Sequence, residues 1–175
     1  GIIPERIMVG ADFAWLFQPD PKDRIWARIF WENLGVDLSR PLVGVNVVNE
    51  RWAGLNEVKD AIAMALDHII RESAVQVAFL CNETRDGAYF DFAAAREVTA
   101  MMKEESYIVP NHYFTPSQMV ALLSHCSLTV SQRYHFTVLS ILAGTPCFSF
   151  ARGQKMEGLL EEFGEAPVGT MDSCD

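Results

Sequence analysis

The sequence is acidic overall, yet no Asp or Glu occurs between Ser106 and Met156. Its 175 residues carry 23 Asp and Glu against 14 Lys and Arg, a net charge of −9 with a sequence pI near 4.9. Histidines aside, the charged side chains inside the acid-free stretch are Arg133, Arg152 and Lys155. A duplex-binding surface needs clustered cations that release counterions, so the overall balance excludes nucleic acid as a partner. Locally the sign is opposite, because a segment free of carboxylates and bearing cations is what a small anion requires of its site. Charge-poor buried strands and helices would leave the same trace, so composition keeps both readings open.

Other absences narrow the class. The four cysteines, Cys81, Cys126, Cys147 and Cys174, include no Cys-x-x-Cys pair and no matching histidine spacing, which argues against a zinc site. Three of them sit in apolar contexts, where a free thiol behaves as a small hydrophobe, and this fits a reducing cytoplasm better than a disulfide framework. No apolar run approaches the roughly 18 residues of a membrane span, and the N-terminus lacks the features of a signal peptide. A soluble, cytoplasmic protein is expected, with peripheral attachment at the inner face of the membrane left open. The opening Gly1-Ile2, with no initiating Met, reads as a piece of something longer. No repeat, low-complexity run or long linker divides the chain. With 50% apolar and 21% charged residues, it has the composition of a globular domain.

What is present is a hydrophobic period that alternates between strand-like runs and helix-like faces, the pattern of an α/β layer fold with a parallel sheet. Strands are expected at Arg6–Ala11, Leu42–Val48, Val75–Leu80, Tyr107–Val109, Ser127–Ser131 and Cys147–Phe150. Helices are expected at Asp23–Leu34, over the apolar period Leu55, Val58, Ile62, Leu66, Ile69 and Ile70, at Phe90–Lys103, from Thr115 to about His125, at Tyr134–Ala143 and at Gln154–Phe163. Thr115-Pro116-Ser117-Gln118 is a strong helix start, combining a capping Thr, Pro at the first helical position and a Gln able to return a bond. Phe13, Trp15, Phe17, Trp26, Phe30 and Trp31 form a dense aromatic group, expected to pack, with sugar stacking as the sharper alternative. The acidic tail from Glu157 to Asp175 reads as a solvated helix face followed by a frayed end.

In an open parallel sheet, ligands bind at the carboxyl ends of strands, where the next helix offers unpaired N–H groups and a positive dipole end. Ser131-Gln132-Arg133-Tyr134-His135 falls at such a place. Arg133 offers a fixed fork for carboxylate or phosphate, and His135 a proton movable near neutral pH. A second strand-to-helix turn, Phe148 to Lys155, again delivers cations, Arg152 and Lys155, to a helix start around Gly153. Cations there oppose the dipole, which suggests a compensating anion; the ordinary alternative pairs Arg133 with a surface carboxylate such as Glu157. Asn46 and Asn82 sit at strand ends, and His112 in the loop after Tyr107–Val109 belongs to the same sheet end. His68 and His125 read as structural.

At these residues the sequence resembles the polysaccharide pyruvyl transferase family. The run SLTVSQRYHFTVLSILAGTPCFSFARGQKMEGLLEEFG is similar to that family's C-terminal signature: a strand, a Ser/Gly-x-Arg-x-His turn, an apolar helix, a Gly-x-Pro strand entry and a Lys before a closing helix. Ser131, Arg133, His135, Gly144, Pro146, Lys155 and Gly164 carry the match. Ala11 and Asp12, in VGADFAWLFQPD, resemble the family's segment before its second domain. The resemblance implies a Rossmann-like parallel sheet flanked by helices, like the C-terminal half of a two-domain GT-B glycosyltransferase fold. It implies residues 1–20 as a linker remnant, 21–175 as the donor-binding domain, and an N-terminal domain of the same protein as partner.

The implied reaction moves a pyruvyl group from phosphoenolpyruvate to two hydroxyls of a saccharide, lipid-linked or free, as a ketal in cell-surface polysaccharide synthesis. Arg133 with Lys155 or Arg152 would hold the donor's phosphate and carboxylate, assisted by Ser131, Asn46 and His112, and His135 would be the general acid. Phosphoenolpyruvate is then a substrate, and no metal or other cofactor is expected, since no carboxylate cluster with ligand spacing lies nearby. Two alternatives remain: a nucleotide-sugar glycosyltransferase or epimerase domain of GT-B type, and a non-catalytic α/β binding module.

Overall fold

Short valine-rich runs bounded by turn residues form the strands, and segments with apolar residues every three or four positions form the helices between them. The computed structural model describes residues 13–49, 55–87, 90–151 and 153–170. A 3-10 turn at Phe13–Leu16 leads to α1 (Pro21–Asn33), followed by β1 (Leu42–Asn46), α2 (Leu55–Ser73), β2 (Gln76–Phe79), α3 (Asp91–Met101) and β3 (Tyr107–Ile108). Then come α4 (Pro116–Leu123), β4 (Leu128–Ser131), α5 (Tyr134–Leu142), β5 (Cys147–Ala151), α6 (Gln154–Glu162) and β6 (Gly169–Thr170). All neighbouring strands pair in parallel, in the order β3-β2-β1-β4-β5-β6, the order of a dinucleotide-type doubly wound sheet.

One helix start and the acidic tail differ from the sequence expectation. Helix α1 begins at Pro21 rather than Asp23, because Asp20 caps it by accepting the Lys22 N–H at 2.9 Å and Pro21 fits the first turn. The 115–118 start is as expected: Thr115 Oγ1 accepts the Gln118 N–H at 3.2 Å, and Gln118 Oε1 accepts the Thr115 N–H at 3.0 Å. The acidic tail is more than a solvated face and a frayed end. Met156, Leu159 and Leu160 of α6 are buried, and Gly169 and Thr170 add an edge strand to β5, which two such residues cannot announce by hydrophobic pattern. The expected strand Arg6–Ala11, and with it Ala11 and Asp12, lies outside the described residues.

Alternation along the strands splits the core into two layers. Leu42, Ala78 and Leu80 face α1, α4 and α5, meeting Ala27, Trp31, Leu122, Leu123 and Phe136. Val43, Val45, Val77 and Phe79 face α2 and α3, meeting Val58, Ile62, Leu66, Ala94 and Val98. Gly44 allows the first layer to close: a Cβ there would stand 3.0 Å from Cys126 Sγ and 3.3 Å from Leu80 Cδ1 and Thr129 Cγ2. Of the aromatic group, Trp15, Trp26, Phe30 and Trp31 pack. Trp26, Phe30 and Phe114 have ring centroids 5.4 to 5.9 Å apart, Trp31 Nε1 donates to the Leu122 carbonyl at 3.1 Å, and Trp15 lies 5.5 Å from Phe163. Cys81, Cys126 and Cys147 are free thiols. Among the described residues no helix is long and apolar enough to cross a membrane.

Candidate functional site

A parallel sheet puts every strand's carboxyl end on one edge. At that edge β1 and β4 lie side by side, Asn46 in register with Ser131, but the chain after β1 feeds α2 on one face and the chain after β4 feeds α5 on the other. Where strand order reverses in this way a crevice opens, and ligands of doubly wound sheets bind there. Gln132 ties the two departing segments: its N–H donates to the Asn46 carbonyl at 3.2 Å, and its Oε1 accepts the Val48 N–H at 2.9 Å. Nothing in the sequence singles out Gln132 except its place in the turn.

Ser131 is fully buried and closes its own turn. Its Oγ accepts the Arg133 N–H and donates to the Arg133 carbonyl, both at 3.0 Å. That turn makes Arg133 the N-cap of α5 and leaves its side chain partly exposed at the sheet edge. The partner of Arg133 is Asp91, not Glu157. Nε and Nη2 both donate to Asp91 Oδ1, at 2.7 and 2.6 Å. Asp91 is the first residue of α3 and only 1% exposed. Its other oxygen accepts Asn46 Nδ2 at 3.0 Å and the N–H groups of Asn82 and Glu83 at 2.9 and 3.0 Å. A carboxylate therefore reaches the acid-free stretch from elsewhere in the chain, which no local composition could reveal.

The pair uses the side-on edge of the guanidinium and leaves the end-on edge. Of its five N–H donors, Nε–H and one on Nη2 are taken, and among the described residues Nη1 has no partner. The remaining Nη1–Nη2 edge can grip a carboxylate or phosphate bidentately. Asn46 is fully buried; its Nδ2 also donates to the Leu80 carbonyl at 3.0 Å, while its Oδ1 is without a partner among the described residues. Behind this cluster, burial pushes the Cys81 thiol up to about 12, with the Asp91 charge adding to the rise and Arg133 opposing it. Near neutral pH Cys81 is therefore held as the neutral thiol.

His135 and Lys155 are the second residues of α5 and α6, both exposed. Tyr134 joins them: the His135 ring stands edge-on to it at 5.3 Å, and Lys155 Nζ lies 4.1 Å from its centroid. In the sequence Tyr134 is marked only by its place between Arg133 and His135. Neither α5 nor α6 has a side-chain cap at its start, and Gly153 enters α6 with φ +122°; the positive dipole end of each helix favours an anion. Arg152 lies outside the described residues. His112 is exposed and its ring lies tilted against Phe114, centroids 4.1 Å apart; it follows β3, three strands from β4, and no contact among the described residues joins it to Arg133. His125 Nε2 is 3.3 Å from the Arg24 carbonyl.

The fold has solved counterparts. A glycosyl transferase family 9 protein from Veillonella parvula DSM 2008 superposes with a TM-score of 0.62 at 14% identity, over 91% of this chain and 44% of that one. A protein described as a UDP-N-acetylglucosamine 2-epimerase from Listeria monocytogenes superposes with a TM-score of 0.56 at 14% identity, over 81% of this chain and 35% of that one. The chain thus spans less than half the length of these structures, and they show a GT-B-like α/β fold with a parallel sheet flanked by helices. No curated protein matches the chain. The family model of polysaccharide pyruvyl transferases matches residues 1–154, through β1 and β4, the Arg133–His135 turn and the entry to α6, and the chain belongs to that family.

Proposed function

We propose that this chain is the donor-binding domain of an enzyme that transfers a pyruvyl group from phosphoenolpyruvate to two hydroxyls of a saccharide acceptor. The observation that carries the reading is the end-on edge of Arg133 left by its pairing with Asp91 at the start of α5, where the strand order reverses, with His135 on the same turn and Lys155, from the start of α6, lying over Tyr134 of that turn. Phosphoenolpyruvate presents a carboxylate and a phosphate on adjacent groups, matching one bidentate cation plus helix N–H groups and an ammonium. His135, exposed on the same turn as Arg133, is the proton donor to the methylene carbon, which becomes a methyl group and leaves an oxocarbenium-like centre at C2. The first acceptor hydroxyl adds to C2; phosphate then departs with its bridging oxygen, leaving a second oxocarbenium-like centre to which the second hydroxyl adds. Of the two hydroxyl protons, one replaces that lost by His135 and the other leaves with phosphate. No metal or other cofactor is assigned, and the acceptor is bound across the cleft by a second, N-terminal domain of the same protein.

Titration calorimetry with phosphoenolpyruvate and with a panel of nucleotide-sugars tests this on the protein containing both halves. Phosphoenolpyruvate binds, nucleotide-sugars do not, and Arg133→Ala lowers the affinity at least tenfold, since a bidentate charged pair contributes on the order of 1.5–3 kcal/mol. Binding of a nucleotide-sugar in place of phosphoenolpyruvate would instead support a glycosyltransferase or epimerase. Binding of neither ligand would leave a non-catalytic module.

A further inference from the structure

The Asp91 carboxylate is the point where three strand ends meet. Asn46 from β1, the Asn82 and Glu83 N–H groups after β2, and Arg133 after β4 all bond to its two oxygens. A carboxylate that is 1% exposed costs several kcal/mol to desolvate unless it is paired and hydrogen-bonded on every lone pair, and five donors within 2.6 to 3.0 Å satisfy it. Helix capping alone does not require this arrangement, because Asp91 reaches beyond α3 to a guanidinium 42 positions away.

We infer that Asp91 is a positioning residue for pyruvyl transfer, holding the side-on edge of Arg133 so that its end-on edge is aimed at the donor; this rests on the function proposed above. The consequence is a division of labour. Asp91 neutralises Arg133, so the pair supplies direction, while His135, Lys155 and the starts of α5 and α6 supply the attraction for an anion. Asp91 itself touches no substrate. A misplacement of about 1 Å at a reacting centre costs on the order of 100-fold, and Asp91→Asn must introduce one, because its amide NH2 faces either the Arg133 donors or the N–H groups of Asn82 and Glu83.

Steady-state kinetics and calorimetry on the two-domain protein test this. For Asp91→Asn, the KM and Kd for phosphoenolpyruvate rise at least tenfold while the acceptor KM is unchanged. In an Arg133→Ala background, Asp91→Asn causes no further loss of phosphoenolpyruvate affinity. Donor affinity equal to the parent's, or losses that add to those of Arg133→Ala, would overturn the inference alone. A parent protein that neither binds phosphoenolpyruvate nor transfers its pyruvyl group would overturn the function with it. If Asp91→Asn does not fold, arginine side-chain NMR of the parent decides: on adding phosphoenolpyruvate the Arg133 Nη signals shift while Nε–H stays protected, whereas exposure of Nε–H would mean that the donor displaces Asp91.

Discussion

Arg133 and His135 stand two residues apart on one turn and do different work, and stability separates them. Arg133→Ala strands the Asp91 carboxylate, 1% exposed, without its cation, and is expected to cost about 3 kcal/mol, the lower end for a broken buried pair because the arginine is partly solvated. His135 is exposed, and among the described residues its ring contact is a T-shaped one with Tyr134, so His135→Ala is expected to change stability by less than about 0.5 kcal/mol. Urea melts of both variants check this. In pyruvyl-transfer assays of the two-domain protein, His135→Ala abolishes turnover while its melt overlays the parent's. Transfer unimpaired by His135→Ala would remove its role as the acid.

At the scale of the elements, β1 is the strand on which both faces close, and it tolerates a glycine for a packing reason. A Cβ at Gly44 would meet Cys126 Sγ at 3.0 Å, so Gly44→Ala is expected to cost about 1–3 kcal/mol by overpacking. Adding Cys126→Ala should recover part of that loss, and a double-mutant cycle of denaturant midpoints measures the coupling; purely additive losses would put the strain elsewhere. The same strand ends at Asn46, so a shift of β1 would move the amide bonded to Asp91. Packing in the first layer and geometry at the site are thereby coupled through one five-residue element.

Across the whole molecule, buried thiols give folding an alkaline limit. Burial holds Cys81 and Cys126 up to about 12, against an ordinary 9.0. The folded form keeps these protons longer than the unfolded chain, so their contribution is fully present below about pH 9 and declines as pH rises toward 12. Denaturant midpoints should fall between about pH 8.5 and 10.5 and should fall less after Cys126→Ala, once each variant is referenced to its own value at the lower pH. The layered α/β architecture and most element bounds were legible in the sequence, because hydrophobic period and helix caps are local. The placement of Arg133, His135 and Lys155 next to strand-to-helix junctions was legible for the same reason. Short edge strand β6 was not, since Gly169 and Thr170 lack an apolar run, and neither was Asp91, which stands 42 positions from the guanidinium it holds. Local chemistry determined which groups this protein can offer an anion. Only the strand order, which sets β4 beside β1 and β1 beside β2, decided that a distant carboxylate would hold the Nε–Nη2 side of Arg133.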